Sequence, residues 1–299
     1  MLSRTADSLY WMSRYVERAE NTARLLDVQR QAALLPSAFA LQSAGYQRAL
    51  DDLVSDTNNS SSIMSCISAA RENCRIVRGA INTEIWENVN ATWLELSDTL
   101  KNENWRRDPT ALFEWVKMRS HLFRGITIGT MLKDESFHFM RLGTFVERAD
   151  STARILDAKF DIEAELAQST GHRPETQGRA DYYYWASVLR SVSALEIYRK
   201  VYRDAITPRR VAELLIQRAD MPRSLLACLS EVCINLDAIT EYSGGEPQRL
   251  AGRLRADLQY VRIDDAFEKS IHEFLQRFIE QMYQLGTRIS NEYLGAGNA

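Results

Sequence analysis

Glu17, Glu20 and Arg24 stand three and four residues apart, and Glu147, Asp150 and Arg154 repeat the same residue types at the same spacing. On a helix of 3.6 residues per turn this gathers two carboxylates and a guanidinium on one side. Such a set can hold an amine or a carboxylate, or position a phosphate, because arginine makes bidentate contacts with both anions. Arg14, Arg18 and Arg148 add guanidiniums to the same stretches. Arg71, Glu72, Asn73 and Arg78, followed by Glu84, Trp86, Glu87 and Asn90, form a second polar cluster that could complete a shared pocket with the first.

Three explanations compete. A solvated face held by i,i+4 pairs would gain only about 0.2 to 0.5 kcal/mol per pair, and it would not need the same acid and base in the same turn of two helices. A structural ion-pair network would place Glu17 or Arg18 against Arg148 or Glu147, with small Ala19, Ala23, Ala149 and Ala153 permitting close approach; such buried charges must be paired and add little net stability. A catalytic site would use Glu17 or Glu147 as acid or base and Arg18, Arg71 or Arg148 to hold a carboxylate. No nucleophile with its base, phosphate loop or cofactor motif accompanies these residues. Glu135-x-x-His138 has the spacing of helical di-iron proteins, but a second Glu-x-x-His is absent, so neither metal nor cofactor is expected, and no catalytic residue is assigned.

The charged residues belong to a longer repeat. Tyr15–Asp27 and Phe145–Asp157 are two copies of ERA(E/D)xTARxLD, and a fainter echo links Ser68-Ala69 and 78–81 with Ser193-Ala194 and 203–206. The elements around them read as helices. The first begins near Ser3 or Thr5 and passes Asp27, with Leu9, Met12, Val16, Ala19, Ala23 and Leu26 in its apolar stripe. A break over Pro36 and Ser37–Gly45 precedes a short helix over Tyr46–Val54. The polar loop 56–62 ends in serines that can cap the next helix, which bends or stops near Gly79. Further helices are predicted from about Ile81 to Leu100, from a Thr110 cap to about Leu132, and from about Glu135 to Glu165. Asn102–Pro109 reads as a loop and Gln168–Gly178 as a linker. Beyond it, helices are predicted over Tyr182 to about Ala205, from Pro208, from Pro222 and Arg223 to Tyr242, over Gln248–Tyr260 and over Phe267–Leu294, with a turn at Ser243–Pro247. No period-two strand is present. The expected class is all-α, a large helical bundle with internal pseudo-two-fold duplication, one domain over 1–299 built of halves about 1–134 and 135–299.

Apolar residues make up 45% and charged residues 26% of 299, the balance of a globular chain rather than a disordered one. The net charge of −3 comes without a basic tract, which argues against nucleic acid. The N-terminus has no apolar h-region and no run nears the roughly 20 apolar residues of a membrane span, so a cytoplasmic chain without a membrane partner is expected; an oligomer is compatible with this composition. Cys66, Cys74, Cys228 and Cys233 match no Cys-x-x-Cys pattern and read as buried thiols, and His121, His138, His172 and His272 are dispersed. The six tryptophans read as packing anchors and Tyr182–Tyr184 as a buried helix start.

The opening Met1–Arg4 with Leu9–Arg24 resembles the start of the bacterial alpha-E domain family. Ala70–Asn73, Val77-Arg78, Trp86-Glu87 and Asn90 are similar to its next block, Phe145–Asp150 to its internal one, and Trp185, Leu189–Ser191, Pro208, Val211 and Met221–Ser224 to its later ones. The resemblance implies a helical protein, commonly encoded beside a circularly permuted ATP-grasp protein and a transglutaminase-like protein. That setting suggests a helical accessory or adaptor subunit of an amide- or peptide-ligation system, binding the ligase or its peptide substrate. The alternative is an enzyme with a Glu/Arg site between the repeat helices, acting on an amide- or carboxylate-containing small molecule or peptide.

Overall fold

Ser3–Ala33 form one helix, α1, and from Thr5 to Arg30 it has no exposed residue. An ordinary surface helix hides one stripe; α1 is enclosed on every side and forms the axis of its half of the molecule. The computed structural model describes residues 1–33, 46–102, 104–169, 174–239 and 245–295. The expected break over Pro36 and Ser37–Gly45, Ser243 and Gly244 of the expected Ser243–Pro247 turn and 170–173 of the expected linker lie outside them.

Around α1 come α2 (Tyr46–Val54), α3 (Ile63–Ile76), α4 (Thr83–Lys101), the single turn α5 (Asn104–Arg107) and α6 (Thr110–Thr130). Local chemistry sets their ends. The Ser62 hydroxyl accepts the Ser65 N–H at 3.1 Å to open α3, and the Asn82 side-chain oxygen accepts the Ile85 N–H at 3.0 Å to open α4. At α6 the cap is not Thr110, which is already helical; the Asp108 carboxylate accepts the Thr110 N–H at 3.2 Å. The 102–109 stretch turns helical at α5 because Trp105 there is buried in the core with Ala19, Ala23, Leu26, Leu96 and Phe113. α1 packs on α2, α3 and α6, α3 also packs on α4, and α4 on α6.

α7 (Glu135–Ser169) carries the second copy of the motif. Its residues Leu142–Ala149 are all buried, two turns with no face to solvent. At Gly143 it meets the α1 backbone: a Cβ there would overlap the Tyr10 carbonyl group, so glycine is required for the contact. The chain divides into two compact units, one of Met1–Glu147, 238–241 and 290–299, the other of Arg148–Asp237 and Tyr242–Ile289. The first unit is completed by a π-helical turn, Ser290–Leu294, that packs on α1 and sets Tyr293 edge-on to Phe139 at 6.0 Å.

The second unit contains α8 (Pro174–Ser191), α9 (Leu195–Tyr202), α10 (Pro208–Gln217), α11 (Leu225–Ile239), α12 (Glu246–Tyr260), α13 (Ile263–Lys269) and α14 (Ile271–Ile289). Trp185, Tyr198, Leu214, Leu229, Val232 and Leu275 are among its buried core residues. Several sequence expectations change here. Pro174–Gly178 of the expected linker open α8 instead. The helix expected over 182–205 breaks at Ser193, which has φ 55°, because the N–H of Ala194 returns to the Leu189 carbonyl at 2.7 Å and that of Ser193 to Arg190 at 3.0 Å. These are the two bonds of a Schellman cap, formed around serine rather than glycine. Pro208 does sit in the first turn of α10, capped by Thr207. α11, however, starts after Pro222, with the Ser224 hydroxyl accepting the Ala227 N–H at 3.0 Å. Glu246 and Pro247 belong to α12, and the last predicted helix is divided at Ser270.

Every regular element among the described residues is helical, so the chain is all-α. Among those residues no helix is long and apolar enough to cross a membrane. The four cysteines are buried, free thiols.

Candidate functional site

The acids of the first motif copy do not face water. Glu17 and Glu20 are 1% and 0% exposed, and Glu147 of the second copy is 4% exposed. The solvated-face explanation is therefore wrong for these three. Burial became possible because α1 and α7 approach closely at Gly143 and because α6 brings its own polar stripe.

Glu147 is held by two arginines of α1. Arg18 donates from Nε to Oε1 at 2.6 Å and from its terminal nitrogen to Oε2 at 3.1 Å, while Arg14 Nε donates to Oε2 at 2.8 Å. The Arg14 guanidinium lies over the Trp11 ring at 4.6 Å, and Arg18 lies 5.7 Å from the centre of the Tyr15 ring. Burial pushes the Glu147 carboxyl up, but Arg14 and Arg18 together outweigh it and hold it below the usual carboxylate range. Burial likewise opposes charge on Arg18, and Glu147 more than offsets this. Cys66 lies beside the pair, its thiol pushed up to about 12 by burial.

A second set joins α1 to α6. Arg124 donates to Glu17 Oε2 at 2.9 Å, to Glu20 Oε2 at 2.5 Å and to the Ser120 hydroxyl at 2.8 Å. The Ser120 hydroxyl donates to Glu20 Oε2 at 2.7 Å, and Arg24 Nε donates to Glu20 Oε1 at 2.8 Å. Further along, Lys117 Nζ reaches Asp27 at 3.1 Å. Ascending order on α1 (17, 20, 27) meets descending order on α6 (124, 120, 117), so the two helices run antiparallel with their polar stripes in register. Arg124, Ser120 and Lys117 were not singled out from the sequence. Their i, i+3, i+7 spacing between Phe113, Val116, Phe123 and Thr127 was the available signal.

The other singled-out residues occupy separate places. Asp150 and Arg154 pair at 2.8 Å in the second unit, with Arg154 59% exposed, and Arg148 is buried. Arg71, Glu72, Asn73 and Arg78 form a set of their own and none reaches the α1 carboxylates. Arg71 donates to Asn90 at 2.8 Å and Glu72 at 3.0 Å and lies over Trp93 at 4.3 Å; Arg78 lies over Trp86 at 4.7 Å; Asn73 caps back onto Ala69. Trp105 and Trp185 are the buried packing anchors expected, whereas Trp11, Trp86, Trp93 and Trp115 are half-buried beneath guanidiniums. Of the three tyrosines only Tyr184 is buried, and they lie within α8 rather than at its start. In the second unit the buried Asp157, counterpart of Asp27, lies 2.8 Å from His272 Nδ1 and accepts from Gln276.

Chemically, the centre is a set of ionised acceptors already engaged by cationic donors. A carboxylate held below its usual range by two guanidiniums is a poor general acid and a weak base. Two interior cavities of the first unit, about 20 and 10 Å³, are lined by neither Glu17 nor Glu147. Among the described residues no group of three or more His, Cys, Asp and Glu gathers as a metal site.

A family model described as a predicted alpha-helical domain with a conserved ER motif matches residues 1–294. This chain carries that dipeptide at Glu17-Arg18 and Glu147-Arg148. No curated protein and no solved structure matches.

Proposed function

The chain belongs to the Alpha-E family, and from that footing we propose that it is a helical accessory or adaptor subunit of a bacterial, cytoplasmic ATP-grasp amide- or peptide-ligation system, binding the ligase or its peptide substrate. The observation that carries this reading is the engagement of Glu17, Glu20 and Glu147, all buried and all hydrogen-bonded to guanidiniums. A motif spent on its own framework supports a binding role at the surface more than proton transfer at the centre. The stacking of Arg71 of α3 and of Arg78 just beyond it on the half-buried Trp93 and Trp86 of α4 supports it as well, since those two residue types are enriched where binding energy concentrates. The link to a circularly permuted ATP-grasp protein and a transglutaminase-like protein rests on the resemblance of the motif blocks.

The rival reading, an enzyme acting on an amide- or carboxylate-containing molecule, requires Glu17 or Glu147 to exchange protons, and their ion pairing works against it. Co-purification of the tagged full chain with a circularly permuted ATP-grasp protein from the same cell tests the proposal. A stable complex, or a change in ligase turnover on adding the chain, is expected. Absence of both overturns it.

A further inference from the structure

On the second unit a concavity of about 700 Å³ opens between α12, α13 and α14, inside the range of roughly 300 to 1,000 Å³ typical of ligand pockets. Its apolar surface is formed by half-buried Val261 and Phe274, backed by the buried Leu254, Leu258 and Phe278. Its walls are held in place from behind. The Gln217 side chain donates to the carbonyls of Leu258, at 3.2 Å, and Val261. Arg209 grips Asp264 of α13 through both nitrogens, each at 2.7 Å. The Ser270 hydroxyl accepts the Glu273 N–H at 3.2 Å, fixing the start of α14. The pocket is thus preformed, and the neighbour of the pinned Asp264, Asp265, is left lining it.

The rim carries both signs of charge; Arg262 and Asp265 approach each other at 3.9 Å. Among the described residues the Asp257 and Glu273 carboxylates and the Arg277 guanidinium line the pocket and make no hydrogen bond or ion pair. Glu273 and Arg277 have the order and spacing of a favourable i,i+4 pair yet stand apart. Tyr260 also lines it and is 77% exposed. Separated free carboxylates and a free guanidinium around an apolar floor match a ligand with an amine, a carboxylate and an apolar body between them.

We infer that this pocket binds a short zwitterionic peptide through an apolar side chain seated against Val261 and Phe274, its carboxylate on Arg277 and its amine on Glu273 or Asp257. This deepens the adaptor reading, on which the choice of a peptide rests.

Leucyl-phenylalanine, its N-acetyl form and its C-amide form are the probes, titrated calorimetrically into the full chain. Saturable binding of the free dipeptide is expected, weakened roughly ten-fold or more by Arg277→Gln, as befits loss of a charge-assisted hydrogen bond. The same variant should bind the C-amide form no more weakly than the native chain does. Glu273→Gln combined with Asp257→Asn should mirror this for the N-acetyl form. Circular dichroism confirms that these surface variants fold. No saturable heat at millimolar dipeptide, or undiminished binding by Arg277→Gln, overturns the site. Dipeptide binding without any ATP-grasp complex would sink the adaptor reading alone, and a complex retained by a chain that binds no dipeptide would sink the pocket alone.

Discussion

Arg18 and Glu147 face each other with both carboxylate oxygens engaged, Oε1 at 2.6 Å and Oε2 at 3.1 Å. One residue belongs to each copy of the repeated motif, and Arg14 shares the same carboxylate at 2.8 Å. Removing the acid would leave two largely buried cations without their counter-charge.

Glu147→Gln is accordingly expected to destabilise the fold by about 3 kcal/mol, the lower end for breaking a buried pair because Arg18 keeps some access to water. Urea unfolding of the two chains at pH 7 gives the difference directly. A change below about 0.5 kcal/mol would mean that the pair is no stronger than a surface one.

The same variant exposes a pH dependence. The folded Glu147 carboxyl lies below its ordinary value of 4.5, burial raising it and the two arginines more than reversing that. With the folded value below the unfolded one, the stabilisation is complete above about pH 5 and is lost as pH falls through the folded value. The stability gap between native and Glu147→Gln chains should therefore be constant from pH 8 to 6 and close on acidification. A gap that widened as pH fell would contradict the ion pair.

Gly143 gives a steric test. Alanine there would drive a methyl into the Tyr10 carbonyl, its Cβ 3.0 Å from the carbonyl carbon, and α1 would have to move; a loss of about 1 to 3 kcal/mol or more is expected. Gly125 and Gly129, helical with open space where a Cβ would go, should each gain about 0.5 to 1 kcal/mol on the same change. Thermal melts of the three variants should move in opposite directions.

The two copies of the motif also differ in exposure. Arg24 is 10% exposed on a fully buried Glu20, whereas Arg154 is 59% exposed on Asp150. Arg24→Met should cost about 1.5 to 3 kcal/mol by removing one of the two guanidiniums on a buried acid that Arg124 still engages, and Arg154→Met no more than about 0.5 kcal/mol. Equal losses in urea unfolding would show that exposure does not govern these pairs.

Burial lifts the thiols of Cys66 and Cys74 to about 12. At pH 8 an alkylating reagent should leave both unmodified in the native chain, and all four cysteines should react in denaturant. Rapid native labelling at either position, located by mass spectrometry, would place that thiol at the surface.

Helices whose ends are set locally could be read from residue order: Tyr46–Val54 matches its prediction, and Ser62 caps α3. The break at Ser193 could not, because the left-handed position carries serine in place of the glycine that usually announces it. The candidate centre was half legible. The repeat exposed Glu17, Arg18 and Glu147 as residues with specified partners. Which partner met which depended on contacts across more than a hundred residues, as between Glu17 and Arg124, and no local pattern encodes that separation. Whether the charged side faced water was equally non-local, since α1 became an axis only once α2, α3, α4, α6 and α7 had all been placed.

The π-helical turn that packs on α1 has a consequence for biosynthesis. Ser290–Leu294 leave the ribosome only after α14, so α1 must wait for a segment far downstream of it before its own unit is closed. Until then α1 exposes the part of its surface that the turn covers. Nascent chains lacking that turn should be the species that chaperones hold and proteases find.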